Sequence, residues 1–341
     1  MLLRRVLGWI VVALFGGTIV AATLADTLGI ERIFGFSHMV AMRGWLLVGS
    51  LLVLVLLGAV YAGRALRRTH TTHSRAIAIV LALCLGFTAV ANGIVLHARG
   101  FDSSRHVTLQ ALEGVAEDGD EITVIVLNSY RSAVPVEEVA RLVRAADADV
   151  VFLPETRLEH VRDIAAELGD GWSVQPESKV DSRDTSILIA PDAGGYRTAT
   201  FPMLGAVMTE SADGGPGLIA AHPISIPAPL RPTSGVVAWQ RQWAAEISEA
   251  YELCEFSPDA IIGGDFNSTA DHGTMGCGYV DAAIEAGIGG MGTWPSSLPP
   301  ALSAPIDRVF VHPERWKVTA GWLVDIEPSD HRAVVIRLAP R

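Results

Sequence analysis

Hydrophobic and polar positions divide the chain into two unlike parts. In the first, apolar residues dominate residues 6–25, 45–63 and 76–96, each close to the ~20 residues that a bilayer-spanning helix requires. In the second, short apolar runs alternate with amphipathic stretches. Residues 122–127 and 149–153 read as buried strands, each followed by a helical pattern, one opened by Pro135 and running to about Ala146, the other over 157–168. Strands are also expected at 185–190, 205–210 and 217–221, with a turn at 213–215. A long helix over about 234–254 leads into Ala260, Ile261 and Ile262, a short buried strand after which Gly263 and Gly264 are expected to turn the backbone. Strands at 306–311, 316–324 and 333–338 close the chain. Residues 97–120 are polar and acidic without a sustained period and read as a linker. The expected organisation is therefore a three-helix anchor over 1–96, a linker over 97–120 and a globular domain over 121–341.

Half of the 341 residues are hydrophobic and the mean hydropathy is +0.36, too apolar for an ordinary soluble domain. Arg4 and Arg5 precede the first span as they would in a signal peptide, but two further spans follow at once and favour an anchor. Arg64, Arg67, Arg68 and Arg75 crowd the second loop, whereas Arg32 and Arg43 in the first loop are offset by Asp26 and Glu31. The basic bias places the N-terminus and second loop in the cytoplasm and everything after Leu96 on the other side, outside the cytoplasmic membrane in a bacterium. His70 and His73, in that basic loop, read as solvated.

Charge sharpens the division. Of the 26 Lys+Arg and 37 Asp+Glu, 8 and 2 precede His97, leaving 18 and 35, a net −17, for the remainder. Nonspecific nucleic-acid binding works by neutralising phosphates with Lys and Arg, so bulk charge disfavours nucleic acid as a partner without excluding a local basic patch. Cys84 falls inside the third span. Cys254 and Cys277 both lie in the part assigned to the oxidising side and are candidates for a disulfide, although spacing alone does not establish how closely they approach.

Chemistry-bearing residues recur at predicted strand ends: Asn128, Glu155, His222, Asp265, Asn267, Asp307 and the Asp330–His331 pair. A layered sheet fold gathers such residues into one cleft, whereas an isolated D-x-N such as Asp265–Asn267 is more often an Asx-turn closing a strand. In order, the motifs VLNSY, FLPET, GGDFN, GTWP, IDRVFV and SDHRAVVI resemble the endonuclease/exonuclease/phosphatase superfamily over about 121–338. The resemblance implies an α+β fold, a four-layer α/β/β/α sandwich, here preceded by three transmembrane helices. It also implies a phosphoric ester hydrolase that uses Mg²⁺ or Mn²⁺, with Glu155, Asn128 and Asp330 as metal ligands. By the same resemblance Asp265 activates water, Asn267 holds phosphoryl oxygens, His331 stabilises developing charge with Asp307 behind it, and His222 protonates the leaving group. The chain departs from the family pattern at Pro154, where many members have Gln. It also lacks an obvious counterpart of the active-site tyrosine of abasic-site enzymes and any Arg/Lys-rich insertion. Trp294 is either a stacking residue or a partly buried loop aromatic.

These readings point to an extracytoplasmic, membrane-anchored phosphoesterase acting on a diester or monoester, with lipid or lipid-linked phosphates among the candidate substrates. An extracytoplasmic nuclease is the alternative, and a non-catalytic envelope binding or scaffold domain is a third reading, from another class.

Overall fold

The computed structural model describes residues 2–66, 72–113, 121–177, 183–199, 203–228 and 235–341. Arg67, Arg68, His70 and the expected helix start at 234 lie outside the described residues. The chain divides into two compact units, Met1–Ala98 and Arg99–Arg341.

In the first unit the apolar stretches form helices. Leu2–Val11, a π-helical turn at Val12–Gly16 and Gly17–Thr23 run on from one another, and Arg43–Leu66 and Thr72–Ala98 supply the other two long elements. Val6–Thr23, Arg43–Ala65 and His73–Ala98 are long and apolar enough to cross a membrane, by length and composition. Short helices at Ala25–Leu28 and Phe36–Ala41 occupy the expected first loop. Arg43, read as a loop residue, is instead the first residue of its helix and is buried. Its guanidinium donates to Asn92 Oδ1 at 2.8 Å, and Asn92 Nδ2 donates to Thr88 O and to Thr23 Oγ1. Buried polar groups are tolerated when bonded in this way.

The second unit is built on two sheets. Its strands are β1 (His106–Val107), β2 (Ile122–Val126), β3 (Val150–Leu153), β4 (Ser173–Pro176), β5 (Ser186–Ile189), β6 (Tyr196–Ala199), β7 (Ala206–Ser211), β8 (Leu218–Ala221), β9 (Ile261–Asp265), β10 (Val280–Asp281), β11 (Asp307–Val311), β12 (Trp316–Asp325) and β13 (Arg332–Pro340). One sheet has the order β1-β12-β13-β2-β3-β5-β4 and the other β10-β11-β9-β8-β7-β6.

Alternation along the strands sets the layers. Val124, Val126, Phe152 and Ile187 of the first sheet meet Leu218, Ala220, Ile261 and Val309 of the second in a central core. Ile125, Leu127, Val151 and Leu153 point the other way, onto the helices Val136–Ala146 and Leu158–Leu168. The far face of the second sheet sends Ile219, Ile262 and Phe310 against Trp243 and Ile247 of the helix Val236–Ala250. Covering both faces of each sheet explains why central strands read as unbroken apolar runs. The result is the expected layering of helices outside two packed sheets.

Three sequence expectations need correction. Gly263 and Gly264 do not form a turn but belong to β9. A Cβ on Gly263 would lie 2.4 Å from the Phe152 ring, and Gly264 has φ +149° with Ala221 O 2.0 Å from its Cβ position, so close packing of the strand requires both glycines. Part of the expected linker is folded: Arg99 begins the second unit, β1 pairs in parallel with β12, and Leu112 is buried beneath the first sheet's helices. A few apolar side chains there, Val107, Leu109 and Leu112, suffice to dock the segment. Finally, β4, β6 and β10 were not anticipated. β4 and β6 are partly buried and all three end their sheets, so their apolar signal is weak. Cys254 and Cys277 are disulfide-bonded, with Cα atoms 6.1 Å apart.

Candidate active site

Strand register brings the predicted residues to one edge of the two sheets. β2 and β3 are parallel with Val126 opposite Phe152, so Asn128 and Glu155 leave at the same end. β8 and β9 are parallel with Ala221 opposite Gly264, which does the same for His222 and Asp265. β11 runs antiparallel to β9 with Asp307 directly opposite Asp265. β13 is antiparallel to β2, so the Asp330–His331 pair, just before its start, arrives at that end too.

The side chains then meet across the gap between sheets. Asn128 Nδ2 donates to Glu155 Oε1 at 3.2 Å and to Asp265 Oδ2 at 3.1 Å, while its Oδ1 accepts from the Tyr130 N–H. His222 Nε2 lies 3.8 Å from Glu155 Oε1 and 3.9 Å from Asp265 Oδ2. On the other side His331 Nδ1 is 2.8 Å from Asp307 Oδ2, and its Nε2 is 3.8 Å from Asp265 Oδ2 and 3.9 Å from Asp330 Oδ1. Asp330 Oδ2 accepts from the Trp294 indole N–H at 3.0 Å, which pins that ring, 39% exposed, beside the site. Asn267 N–H donates to Asp265 Oδ1 and its side-chain Nδ2 donates to Pro223 O. The Asx-turn is thus formed in D-x-N, with Asp265 reaching Asn128 from its head.

Local backbone supports these positions. Glu155 has φ +51° and Asn267 φ +47°, conformations that cost energy in non-glycine residues and persist where the surroundings fix them. The Glu155 carbonyl accepts from Ser129 Oγ and the Ser132 N–H, which closes the loop after Pro154. Sequence reasoning missed Ser329, whose hydroxyl donates to Asn128 O at 2.7 Å and accepts from the His331 N–H. Its only signal was its position immediately before the Asp-His pair.

Burial and charge shift three groups. Asp265 is pushed up to about 7, first by desolvation and then by the Asp307 charge. Desolvation works against protonated His331, but the charge and hydrogen bond of Asp307, with Asp265 and Asp330 behind them, raise it to about 10. His222 falls to about 4 through desolvation, then the positive charges of Arg183 and His331.

Whether a divalent cation suits this place follows from its donors. Among the described residues none of Glu155, Asp265, Asp307 and Asp330 pairs with a Lys or Arg, and buried Asp307 Oδ1 and Asp330 Oδ1 have no hydrogen-bond partner. Unpaired carboxylate oxygens are the donors a hard cation takes, whereas Asn128 turns Nδ2 rather than Oδ1 toward Glu155 and Asp265. Asp265, Asp307 and His331 also place ligand atoms within 4.8 Å of one another, a group other than the expected Glu155, Asn128 and Asp330. Because Asp307 Oδ2 is engaged by His331, that group reads as a hydrogen-bonded pair facing an acid. The carboxylates gathered here fit a divalent cation.

Residues 126–331 match the Endonuclease/Exonuclease/phosphatase family. No curated protein matches the chain significantly. Among solved structures, D. rerio TDP2 complexed with single strand DNA product is 16% identical with a TM-score of 0.49, covering 64% of this chain and 99% of that one. The human Nocturnin catalytic domain with bound sulfate is 13% identical, TM-score 0.46, covering 67% and 96%. The 3' phosphatase NExo from Neisseria, bound to a product DNA hairpin, is 14% identical, TM-score 0.48, covering 63% and 98%. With a family match spanning more than half its length, over the segment that carries all the strand-end residues described above, the chain belongs to the Endonuclease/Exonuclease/phosphatase family.

Proposed function

We propose that this protein is a membrane-anchored phosphoesterase, dependent on Mg²⁺ or Mn²⁺, that hydrolyses a phosphodiester or phosphomonoester outside the cytoplasm with an activated water. The observation that carries the reading is the single space shared by Glu155, Asp265 and His331, bridged by Asn128 on one side and backed by Asp307 on the other. A divalent cation held by Glu155, with Asn128 and Asp330 as its further ligands, would supply neutralisation of phosphoryl charge.

The chain's own residues divide the remaining work. Asp265, once ionised, accepts a proton from the attacking water, and its position between the two histidines orients that water. Asn267 has one N–H on Pro223 O, leaving the second for a phosphoryl oxygen. His331, held protonated by Asp307, stabilises charge on the transferred group and has a proton to give. Burial holds His222 down to about 4 in the free site, and its place beside Glu155 and Asp265 suits it to meet the leaving oxygen.

Three features support the location. The apolar helices have membrane-spanning length, the arginine bias favours an outer domain, and a disulfide suits an oxidising compartment. Anchoring confines the site to the bilayer surface, where lipid and lipid-linked phosphates are concentrated. The test is turnover by the full-length protein with Mg²⁺ or Mn²⁺ against a chromogenic phosphodiester, a phosphomonoester, phospholipid vesicles and plasmid. A chelator and Glu155→Gln serve as controls. Metal-dependent release from a diester, monoester or lipid, lost in both controls, is expected. No turnover of any substrate sinks the proposal in favour of a binding or scaffold domain, and cleavage of plasmid alone replaces it with a nuclease.

A further inference from the structure

Residues 222–224 leave the end of β8 with four main-chain groups engaged. The His222 N–H donates to Gly205 O at 2.8 Å, and the His222 carbonyl accepts from Arg183 Nη1 at 3.1 Å. The Pro223 carbonyl accepts from Asn267 Nδ2 at 3.0 Å, and the Ile224 N–H donates to Glu246 Oε2 at 2.9 Å. Arg183 and Glu246 are joined to each other twice, Nη1 to Oε2 at 2.6 Å and Nη2 to Oε1 at 3.0 Å. Each side chain is only 16% exposed. Gly205 makes the approach possible: at φ +76°, a Cβ there would lie 2.3 Å from His222 O and 3.0 Å from Arg183 Cδ.

We propose that the Arg183–Glu246 ion pair is a positioning element of the reaction, holding His222 and Asn267 as one unit through the backbone of residues 222–224. The inference rests on the phosphoesterase reading above. A bidentate Arg–carboxylate pair fixes geometry as well as charge, and here each partner also grips the main chain of the segment it spans. Asn267 hangs from the Pro223 carbonyl, between those two grips. His222 faces Glu155 and Asp265 from the same segment. Loosening the pair therefore moves two groups away from the reacting phosphorus together, while Glu155, Asn128 and His331, on other elements, keep their places.

Sequence composition supplies a clean readout, because the chain holds only Asn92, Asn128 and Asn267. Selective ¹⁵N-asparagine labelling of the full-length protein in nanodiscs gives one carboxamide pair for each, with Asn267 assigned by its loss in Asn267→Asp. Arg183→Gln and Glu246→Gln are expected to move the Asn267 pair and leave Asn92 in place. Since a misplacement of ~1 Å costs about 100-fold, kcat should fall roughly 10- to 100-fold. KM should change by less than about 3-fold, the pattern of a lost transition-state interaction. Arg183→Lys, which keeps a cation within reach of the same acceptors, should recover much of the loss. Unmoved Asn267 signals in both glutamine variants, or wild-type kcat in both, overturn the inference. The labelling readout needs no turnover, so an inactive wild type, which would sink the phosphoesterase reading, still leaves the positioning claim decided. If one glutamine variant loses all its signals through misfolding, the other and Arg183→Lys decide it.

Discussion

His331 stands between two carboxylates that face each other in register across β9 and β11: its Nδ1 bonds Asp307 at 2.8 Å while its Nε2 lies 3.8 Å from Asp265. The imidazole is held protonated, to about 10, by this setting. A group raised in the folded state contributes stability that is complete below its unfolded value, 6.5 for histidine, and is lost as pH rises through the raised value. The contribution therefore disappears between about pH 6.5 and pH 10. Asp307→Asn removes the main attractive partner, so the melting temperature of the variant should depend less on pH across this window, and the alkaline limb of its rate profile should move to lower pH. Turnover should drop by about 10²- to 10⁴-fold, the usual worth of a positioned acid or base. Calorimetry and rate profiles over that range check both, and unchanged limbs would remove Asp307 from the assignment.

Asp265 behaves in the opposite functional sense. Desolvation and Asp307 keep it protonated up to about 7 in the fold, against 3.8 for an ordinary aspartate, so the folded protein binds a proton that the unfolded chain has released. Stability of the metal-free protein is then lost as pH rises from about 4 through 7. A divalent cation offsets the crowded negative charge, so Mg²⁺ should raise the melting temperature more at pH 8 than at pH 6. At 100 times its dissociation constant the stabilisation is about 2.7 kcal/mol. Chelation should abolish the increment, and Glu155→Gln should weaken it strongly. An equal increment in wild type and Glu155→Gln would place the metal elsewhere.

Much of this site is legible in the sequence, for physical reasons. Asn128, Glu155, His222 and Asp265 each follow a short fully apolar run, and such runs become central strands whose ends share an edge. The edge strands β4 and β6 escaped because half-buried positions give polar sequences like Ser173–Pro176 and Tyr196–Ala199. Arg183 and Glu246 carry no motif at all; they lie 63 positions apart and matter only through main-chain carbonyl and amide groups that no residue type reveals. The glycines of GGDFN were read as a turn because glycine favours one, whereas Gly263 is needed for the ring of Phe152, a residue more than a hundred positions away.

That packing yields its own prediction. Gly263→Ala puts a Cβ 2.4 Å from the ring of Phe152, itself fully buried among residues of both sheets. Neither strand can retreat without disturbing the central core, so the substitution should destabilise the domain by about 1–3 kcal/mol, as overpacking does. A combined Gly263→Ala/Phe152→Leu variant should recover part of the loss, since the smaller side chain vacates the ring position. Urea melts of the three proteins measure this, and a Gly263→Ala protein as stable as wild type would return the glycines to a merely conformational role.

The disulfide offers a test that reaches from stability to location. Cys254 and Cys277 are separated by 23 positions and bracket the whole of β9 with its Asp265 and Asn267. Closing a loop of that size is worth about 3 kcal/mol in the chain-entropy account, so Cys254→Ser with Cys277→Ser should lower the melting temperature, and reductant should lower it in wild type but not in the double variant. Formation of the bond requires an oxidising compartment. In intact cells expressing the full-length chain, trapping with a thiol-reactive mass tag should therefore label Cys84 alone under denaturing conditions, and all three cysteines only after reduction. Three labelled thiols without reductant would put the domain on the cytoplasmic side, against the arginine bias, and would remove the outer-leaflet substrates from consideration while leaving the chemistry of the site untouched.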